Sequence, residues 1–354
     1  MTKEKKIGKA KINIDKFIGT PDELEFVGMA DNMEVLKPET AIKSSDVGPQ
    51  YDKDSPFTAR MRFHQSWYRA NVLGVSWGTG PGPNSTRELG SMLTRESGTK
   101  GLNFLTPQIF KVAKARLKDA RGTVDEYRLL HNMLSSQPMC FNLLGPLVLD
   151  HNLATLIFKL ILPGEVKEVV KTKIEFAPEP TCEYLNDQTA FDTFVEFARP
   201  DGSKGFIGIE TKLTEPFSNR HYDSPVYRRW TELPNSPWPK ESWDRLDNIS
   251  HNQLWRDHLL SVALRHHPKS LYAYGLLMLV RHPEDRQCAK IAHNYSKLLK
   301  TEDNSFLDYP LNKIVDIMES GLQKTCHKSW LVDFRKRYID LSGSEEEWRH
   351  RTIK

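Results

Sequence analysis

TAFDTFVEFARPDGSKGFIGIETKL, Thr189 to Leu213, is the stretch that decides the fold. Both halves are dense in β-branched and aromatic residues, and Pro200-Asp201-Gly202-Ser203 between them is a turn sequence, so the run reads as a β-hairpin. Side chains alternate along a strand. Ala190, Asp192, Phe194 and Glu196 are therefore expected on one face, with Phe191, Thr193, Val195 and Phe197 opposite. On the partner strand Phe206, Gly208, Glu210 and Lys212 group together, opposite Ile207, Ile209, Thr211 and Leu213. One face is expected to be apolar. The other carries Asp192 beside Glu210 and Lys212, and buried charges of that kind need mutual pairing or a cation between them.

Working outward, KEVVKTKIEFAPEP (Lys167–Pro180) and SLYAYGLLMLV (Ser270–Val280) are further strands. Between hairpin and last strand, the segment Glu241–His267 is helical, with Leu246, Ile249, Gln253, Leu260 and Leu264 on one stripe. Upstream, Pro107–Gly122 and Thr123–Ser136 read as helices, and Thr123 with Glu126 forms a capping-box pattern. The apolar run Phe141–Leu162 is interrupted by Gly145, Pro146, Asp150, His151 and Lys159, and so fails as a bilayer span. Helices are also expected within Glu284–Lys300, Leu311–Ser320 and His327–Leu341. The order is helix, three strands, helix, strand, helices, without an internal repeat. That is an α/β chain with helical additions at both ends. We divide it into an irregular arm (1–55), a helical accessory region (56–134), a core (135–300) and a C-terminal helical region (301–354).

Composition narrows the classes without choosing one. The 354 residues carry 50 Lys+Arg against 46 Asp+Glu, a net charge of +4, so a polyanion partner must be met by a local patch. Cys140, Cys182, Cys288 and Cys326 are scattered, with no CxxC pair for a structural zinc. No apolar segment follows the charged N-terminus as a secretory signal would require, and a cytoplasmic location with free thiols is expected. Neither G-x-S-x-G nor HExxH occurs, and the histidines form no catalytic pattern.

Two neighbouring carboxylates are a natural oxygen site for Mg²⁺, which takes one or two carboxylates and completes its shell with water and phosphate. A lysine on the same face would lie near a metal-bound water and a phosphate oxygen, the combination phosphodiester hydrolysis needs. Asp192, then Glu210-Thr211-Lys212 on the next strand, then a helix and another strand, resembles the PD-(D/E)XK nuclease superfamily over roughly residues 135–300. The resemblance implies a restriction-endonuclease-like core, αβββαβ, with a mixed central sheet flanked by helices. It implies Mg²⁺, with Mn²⁺ as a substitute, held by Asp192, Glu210 and the backbone of Thr211, and a Lys212 that positions or activates water. Phe191 stands where the name-giving motif has proline, which is not a ligand. Gln253 falls where several exonuclease-like members place the glutamine of a Q-x-x-x-Y pattern, but Asp257 replaces the tyrosine. A third acidic ligand is expected from Glu175, Glu179, Glu183, Glu165 or Glu168, with Glu196 peripheral. The bland reading is a cross-strand salt bridge from Asp192 to Lys212.

EPFSNRHYDSPVYRRW follows directly, and its Arg220, Tyr222, Arg228, Arg229 and Trp230 suit phosphate tracking and base stacking. Arg60, Arg62, Trp67, Tyr68 and Arg69 form a similar set, while the glycine-rich Gly74–Ser85 reads as a surface loop. The function expected is a Mg²⁺-dependent nuclease acting on DNA, in restriction or phage defence, with a homo-oligomer to cut both strands. The alternative is a catalytically inactive nucleic-acid-binding protein of the same fold.

Overall fold

The computed structural model describes residues 46–352 apart from 120–123, 219 and 323–328. Residues 1–45 of the arm, Thr123 with its capping box, and Cys326 lie outside the described residues; 46–55 are irregular. Helix α1 (Pro56–Tyr68) leads to a two-stranded ribbon, β1 (Trp77–Thr79) and β2 (Glu88–Leu93), then to α2 (Arg95–Thr99), α3 (Pro107–Lys118), α4 (Glu126–His131), α5 (Ser136–Leu149) and α6 (His151–Ile161). The central sheet comprises β3 (Glu168–Phe176), β4 (Phe191–Ala198), β5 (Lys204–Lys212), β6 (Tyr272–Arg281) and β7 (Phe306–Pro310). In sequence, α7 (Pro225–Thr231), α8 (Trp243–Leu246) and α9 (Asn252–His266) separate β5 from β6, and α10 (Arg286–Ser296) separates β6 from β7. Helices α11 (Leu311–Gly321), α12 (Ser329–Tyr338) and α13 (Glu345–Thr352) follow.

The sheet order is β3-β4-β5-β6-β7, antiparallel through the first three strands and parallel from β5 onward. The hairpin turn is the one the sequence announces. Gly202 takes φ +85°, and Asp201 Oδ1 accepts from the N–H and hydroxyl of Ser203. A parallel neighbour cannot be reached by a tight turn, so the chain between β5 and β6 crosses over through three helices. Val195, Phe197, Ile207, Ile209, Leu276 and Met278 face one core with α5, α6, α11 and α12; Phe191, Phe194, Phe206, Leu277 and Leu279 face a second with α7, α9 and α10.

Phe191 departs from simple alternation. Its ring lies over Gly208, where a Cβ would meet it at 2.4 Å, and it shares the α9 side with Phe194. The β4–β5 ladder stops at Thr193↔Ile209, so the start of β4 is free to turn Phe191 across. Nor is the opposite face wholly apolar, since it includes buried Thr193 and Thr211.

Other differences follow from tertiary contacts. Trp77–Thr79 in the glycine-rich stretch is a strand paired with β2, where a loop was expected. Helix α4 starts at Glu126 behind Asp125, whose carboxylate accepts from the Arg128 N–H. Helix α9 starts only at Asn252 and is buried from Leu254 to Leu264 on every side, so no stripe marks it; Ile249 is an exposed turn residue. The apolar run becomes α5 and α6, bent by 115°, with Asp150 capping α6 through the Leu153 N–H. Among the described residues no single helix is long and apolar enough to cross a membrane.

Candidate active site

Where the β4–β5 ladder ends, a side chain takes over its bonding. Asp192 Oδ2 accepts from the Thr211 backbone N–H at 2.7 Å and from the Thr211 hydroxyl at 2.6 Å. This pins the mouth of the hairpin and sets Asp192 beside the end of β5. One residue to either side of Thr211, Glu210 and Lys212 point to the α9 face and pair with each other, Lys212 Nζ to Glu210 Oε1 at 3.0 Å. Helix α9 supplies Gln253, which donates to Glu210 Oε1 at 2.9 Å and accepts from Lys212 Nζ at 3.3 Å and from the Ser218 N–H at 2.9 Å. The Phe217 ring, 5.0 Å from Lys212 Nζ, closes that side. Glu210 and Lys212 are buried, whereas Asp192 is partly exposed and marks the opening.

The structure thus brings together Asp192, Glu210, Thr211, Lys212 and Gln253. The ion pair of Lys212 is with Glu210, not with Asp192 as a plain cross-strand bridge would have it.

Charge is badly balanced here. Burial, then the Asp192 charge, pushes Glu210 well above the usual carboxylate range. Burial also raises Asp192, against the bonds from Thr211 and the charges of Lys212 and Arg128. Burial and the Asp192 charge push Glu175 up to about 7. Burial alone would lower Lys212, but Glu210 and Asp192 outweigh it and hold the ammonium above its ordinary value. Glu210 and Asp192 both act on Lys212, and burial makes the ionised form of each costly, an imbalance that a divalent cation would offset. The donors are hard oxygens, and among the described residues Asp192 Oδ1 and Glu210 Oε2 accept no hydrogen bond. Among the described residues no group of three or more His, Cys, Asp or Glu is gathered to hold a metal. Asp192 Oδ1 and Glu210 Oε2 are a two-carboxylate oxygen pair of the kind that suits a divalent cation whose shell is completed by water and phosphate.

Of the acids considered for a third ligand, Glu175 is the one whose carboxyl feels Asp192. It sits near the end of β3 with φ +56°, and Arg116 donates to the carbonyls of Ile174 and Glu175. Glu165 pairs with Arg199, Glu183 with Lys269 and His267, and Glu196 with Lys204, while Glu168 is exposed on β3 and Glu179 is exposed beyond it. Sequence reasoning gave no role to Arg128, whose charge reaches Asp192 and Glu175 from α4, or to Glu215, which accepts from the Ser136 N–H at the start of α5. It also read Asp257 only as a missing tyrosine. The single clue for Asp257 was its spacing of four from Gln253.

The basic and aromatic set divides. Trp230 is in the core at 1 % exposure and donates its indole N–H to the Tyr184 carbonyl, so it offers no face to a base. Tyr222 lies under Arg256, 4.0 Å from guanidinium carbon to ring centre, with its backbone paired to Asn252. Arg220, Arg228 and Arg229 are exposed, Arg228 pairing with Glu232 at 2.7 Å and Arg229 resting on Trp230. The earlier set serves structure. Arg60 pairs with Glu345 and Arg62 with Asp54, Arg69 binds the carbonyls of Gly90, Asp46 and Val75, Trp67 donates to Glu347, and Tyr68 is buried. A cleft of about 1100 Å³ opens beside Phe217, lined also by Phe57, Lys53, Arg60, Arg286 and Ile291.

No curated protein and no solved structure shows significant similarity to the chain. A family model does: residues 52–340 match the PD-(D/E)XK nuclease superfamily, a span that takes in the whole sheet and every residue of the Asp192, Glu210 and Lys212 site. With the mixed five-strand sheet, the parting of β4 from β5 and the E-x-K triplet all in place, the chain belongs to the PD-(D/E)XK nuclease superfamily.

Proposed function

We propose that the protein is a divalent-metal-dependent nuclease that hydrolyses phosphodiester bonds in DNA. Membership in the superfamily implies a nuclease-type hydrolase. What supports metal dependence is the pair of carboxylates, Asp192 and Glu210, set with Lys212 at the open end of the hairpin, each with an oxygen that accepts no hydrogen bond among the described residues. Asp192 and Glu210 would hold Mg²⁺ or Mn²⁺, with Glu175 the accessory acid. Such an ion, when bound, lowers the pKa of water and neutralises phosphate charge. Lys212 presents its ammonium to the attacking water and to a non-bridging phosphate oxygen, where negative charge grows as the new P–O bond forms. Gln253 keeps Glu210 and Lys212 in register and ties both to the Ser218 amide. Burial beneath Phe217 strengthens these charge interactions.

Arg220, Arg228 and Arg229 are the phosphate contacts we propose, and the cleft beside Phe217 is the substrate channel. We place the enzyme in the cytoplasm, in restriction or phage defence, because the superfamily is frequent there, and a second copy would serve to cut both strands. The test is incubation with Mg²⁺ on linear, circular and single-stranded DNA and on RNA, beside calorimetric titration of Mg²⁺. Cleavage of any DNA form with metal binding supports the reading. Nucleic-acid binding with neither metal uptake nor cleavage would leave the inactive binding protein as the better description.

Replacing Arg228 and Arg229 together by alanine should weaken DNA binding and flatten its salt dependence, by up to about 0.9 per lost duplex contact. Melting should hardly shift, since the Arg228 side chain is 61 % exposed and exposed pairs contribute roughly 0–1 kcal/mol. An unchanged salt slope would remove both arginines from the interface.

A further inference from the structure

A buried carboxylate stands one helical turn beyond Gln253. Asp257 follows it by four residues on α9, a spacing that places both side chains on one face, and Gln253 touches both Glu210 and Lys212. Asp257 is 4 % exposed, and its Oδ2 accepts no hydrogen bond. The adjacent Arg256 turns away, to Asp187, Tyr227 and Thr189. The charges that reach Asp257 are those of Arg256 on its own helix, Lys212 on β5, Asp192 on β4 and Asp187 in the turn before β4; Glu210 and, on α10, Tyr295 feel its charge in return. Packing alone gives no reason for an acid here, because asparagine or leucine would fill the space without a charge to desolvate.

Lys212 has the complementary problem. It is held on Glu210 Oε1, on a carboxylate that the nuclease reading assigns to a metal. A divalent cation taken up on Glu210 Oε2 draws on the same carboxylate charge that Lys212 rests on, and leaves the buried ammonium beside a second cation, under-compensated and strongly unfavourable. Glu215, whose charge also reaches Lys212, is engaged by Ser136 and the Thr214 N–H; Asp257 is the acid on α9 that feels the Lys212 charge and has an unused oxygen.

We propose that Asp257 is a positioning residue, the second seat of the Lys212 ammonium: Lys212 passes from Glu210 to the Asp257 carboxylate when Glu210 engages metal, and so stays charged and within reach of a substrate phosphate. Gln253, bonded to Glu210 and Lys212 at once, is the pivot of the exchange. The proposal rests on the reading of Asp192 and Glu210 as metal ligands.

The experiment is calorimetric titration of Mg²⁺, without substrate, into the full chain and its Asp257→Asn, Asp257→Glu, Lys212→Ala and Lys212→Ala/Asp257→Asn variants. Asp257→Asn should bind Mg²⁺ about tenfold or more weakly, because Lys212 then has no carboxylate on α9 to move to and stays on Glu210 beside the incoming cation. Asp257→Glu should recover part of the loss. In the Lys212→Ala background the Asp257→Asn effect should vanish, since no ammonium is left to seat. Metal-free Asp257→Asn should melt at or above wild type at pH 8. Unchanged Mg²⁺ affinity in Asp257→Asn, an equal loss with and without Lys212, or melting several degrees lower would each overturn the proposal. Asp192→Asn is the control. If it too leaves Mg²⁺ affinity unchanged, the metal reading itself has failed and the proposal falls with it; if it removes binding while Asp257→Asn does not, only the second seat has failed.

Discussion

Asp192→Asn is expected to abolish cleavage while the protein melts at or above the wild-type temperature. Loss of a ligand removes several kcal/mol of transition-state stabilisation, roughly a thousandfold or more in rate. The fold should tolerate asparagine because its amide oxygen can still accept from the Thr211 N–H and hydroxyl, the two bonds Asp192 Oδ2 makes. It also removes a carboxylate that burial already pushes above its ordinary range. Alanine is the harsher change. It leaves the Thr211 amide without a partner at the mouth of the hairpin, which costs about 1–3 kcal/mol for a buried group. Both variants should be inactive, but only Asp192→Ala should melt early. Cleavage by Asp192→Asn at the wild-type rate under Mg²⁺ would dismiss the site.

The contrast between asparagine and alanine could not be drawn from the sequence, which expected Asp192 on the face of Glu210 and Lys212 and gave no sign that Thr211, assigned to the opposite face, is what holds it. Hairpin, turn and E-x-K triplet were legible because each is local: alternation of β-branched residues, Pro-Asp-Gly-Ser, and two residues of separation on one strand. What depends on distant contacts was not. Phe191 turns to the α9 side because the ladder stops at Thr193, a tertiary event that strict alternation cannot register. Strand β7 is five residues ending in Pro310, too short for a periodic signal, and it exists because β6 offers a parallel edge. Helix α9 carries no stripe because its neighbours cover every side. Trp230 and Arg228 are two residues apart in one basic and aromatic run, yet one is core and the other solvent-facing. Arg60 looked like a phosphate contact until Glu345, from the other end of the chain, was seen to hold it.

Lys212→Ala should have the largest combined effect on stability and rate. If Lys212 offsets charge in the transition state, its removal lowers cleavage by roughly two to three orders of magnitude, as loss of one preorganised donor does elsewhere, while Mg²⁺ still binds. Its ion pair with Glu210 is buried on both sides, so breaking it also costs about 3–5 kcal/mol without metal. The pH dependence has a definite sign. Glu210 is raised in the folded protein above its ordinary value of 4.5, so the folded state holds that proton more tightly and metal-free stability declines as pH climbs through the range above 4.5. Without the Lys212 charge Glu210 rises further, and a protonated Glu210 no longer repels Asp192. The deficit of Lys212→Ala against wild type should therefore be small near pH 5, large at pH 8, and partly repaired at pH 8 by Mg²⁺, which supplies the missing positive charge. Melting curves at both pH values with and without Mg²⁺, together with single-turnover cleavage, separate the two roles. A lysine that only neutralises would show the stability pattern, with cleavage restored once metal is saturating. A variant that melts like wild type at pH 8 and cleaves at full rate would deny Lys212 both tasks.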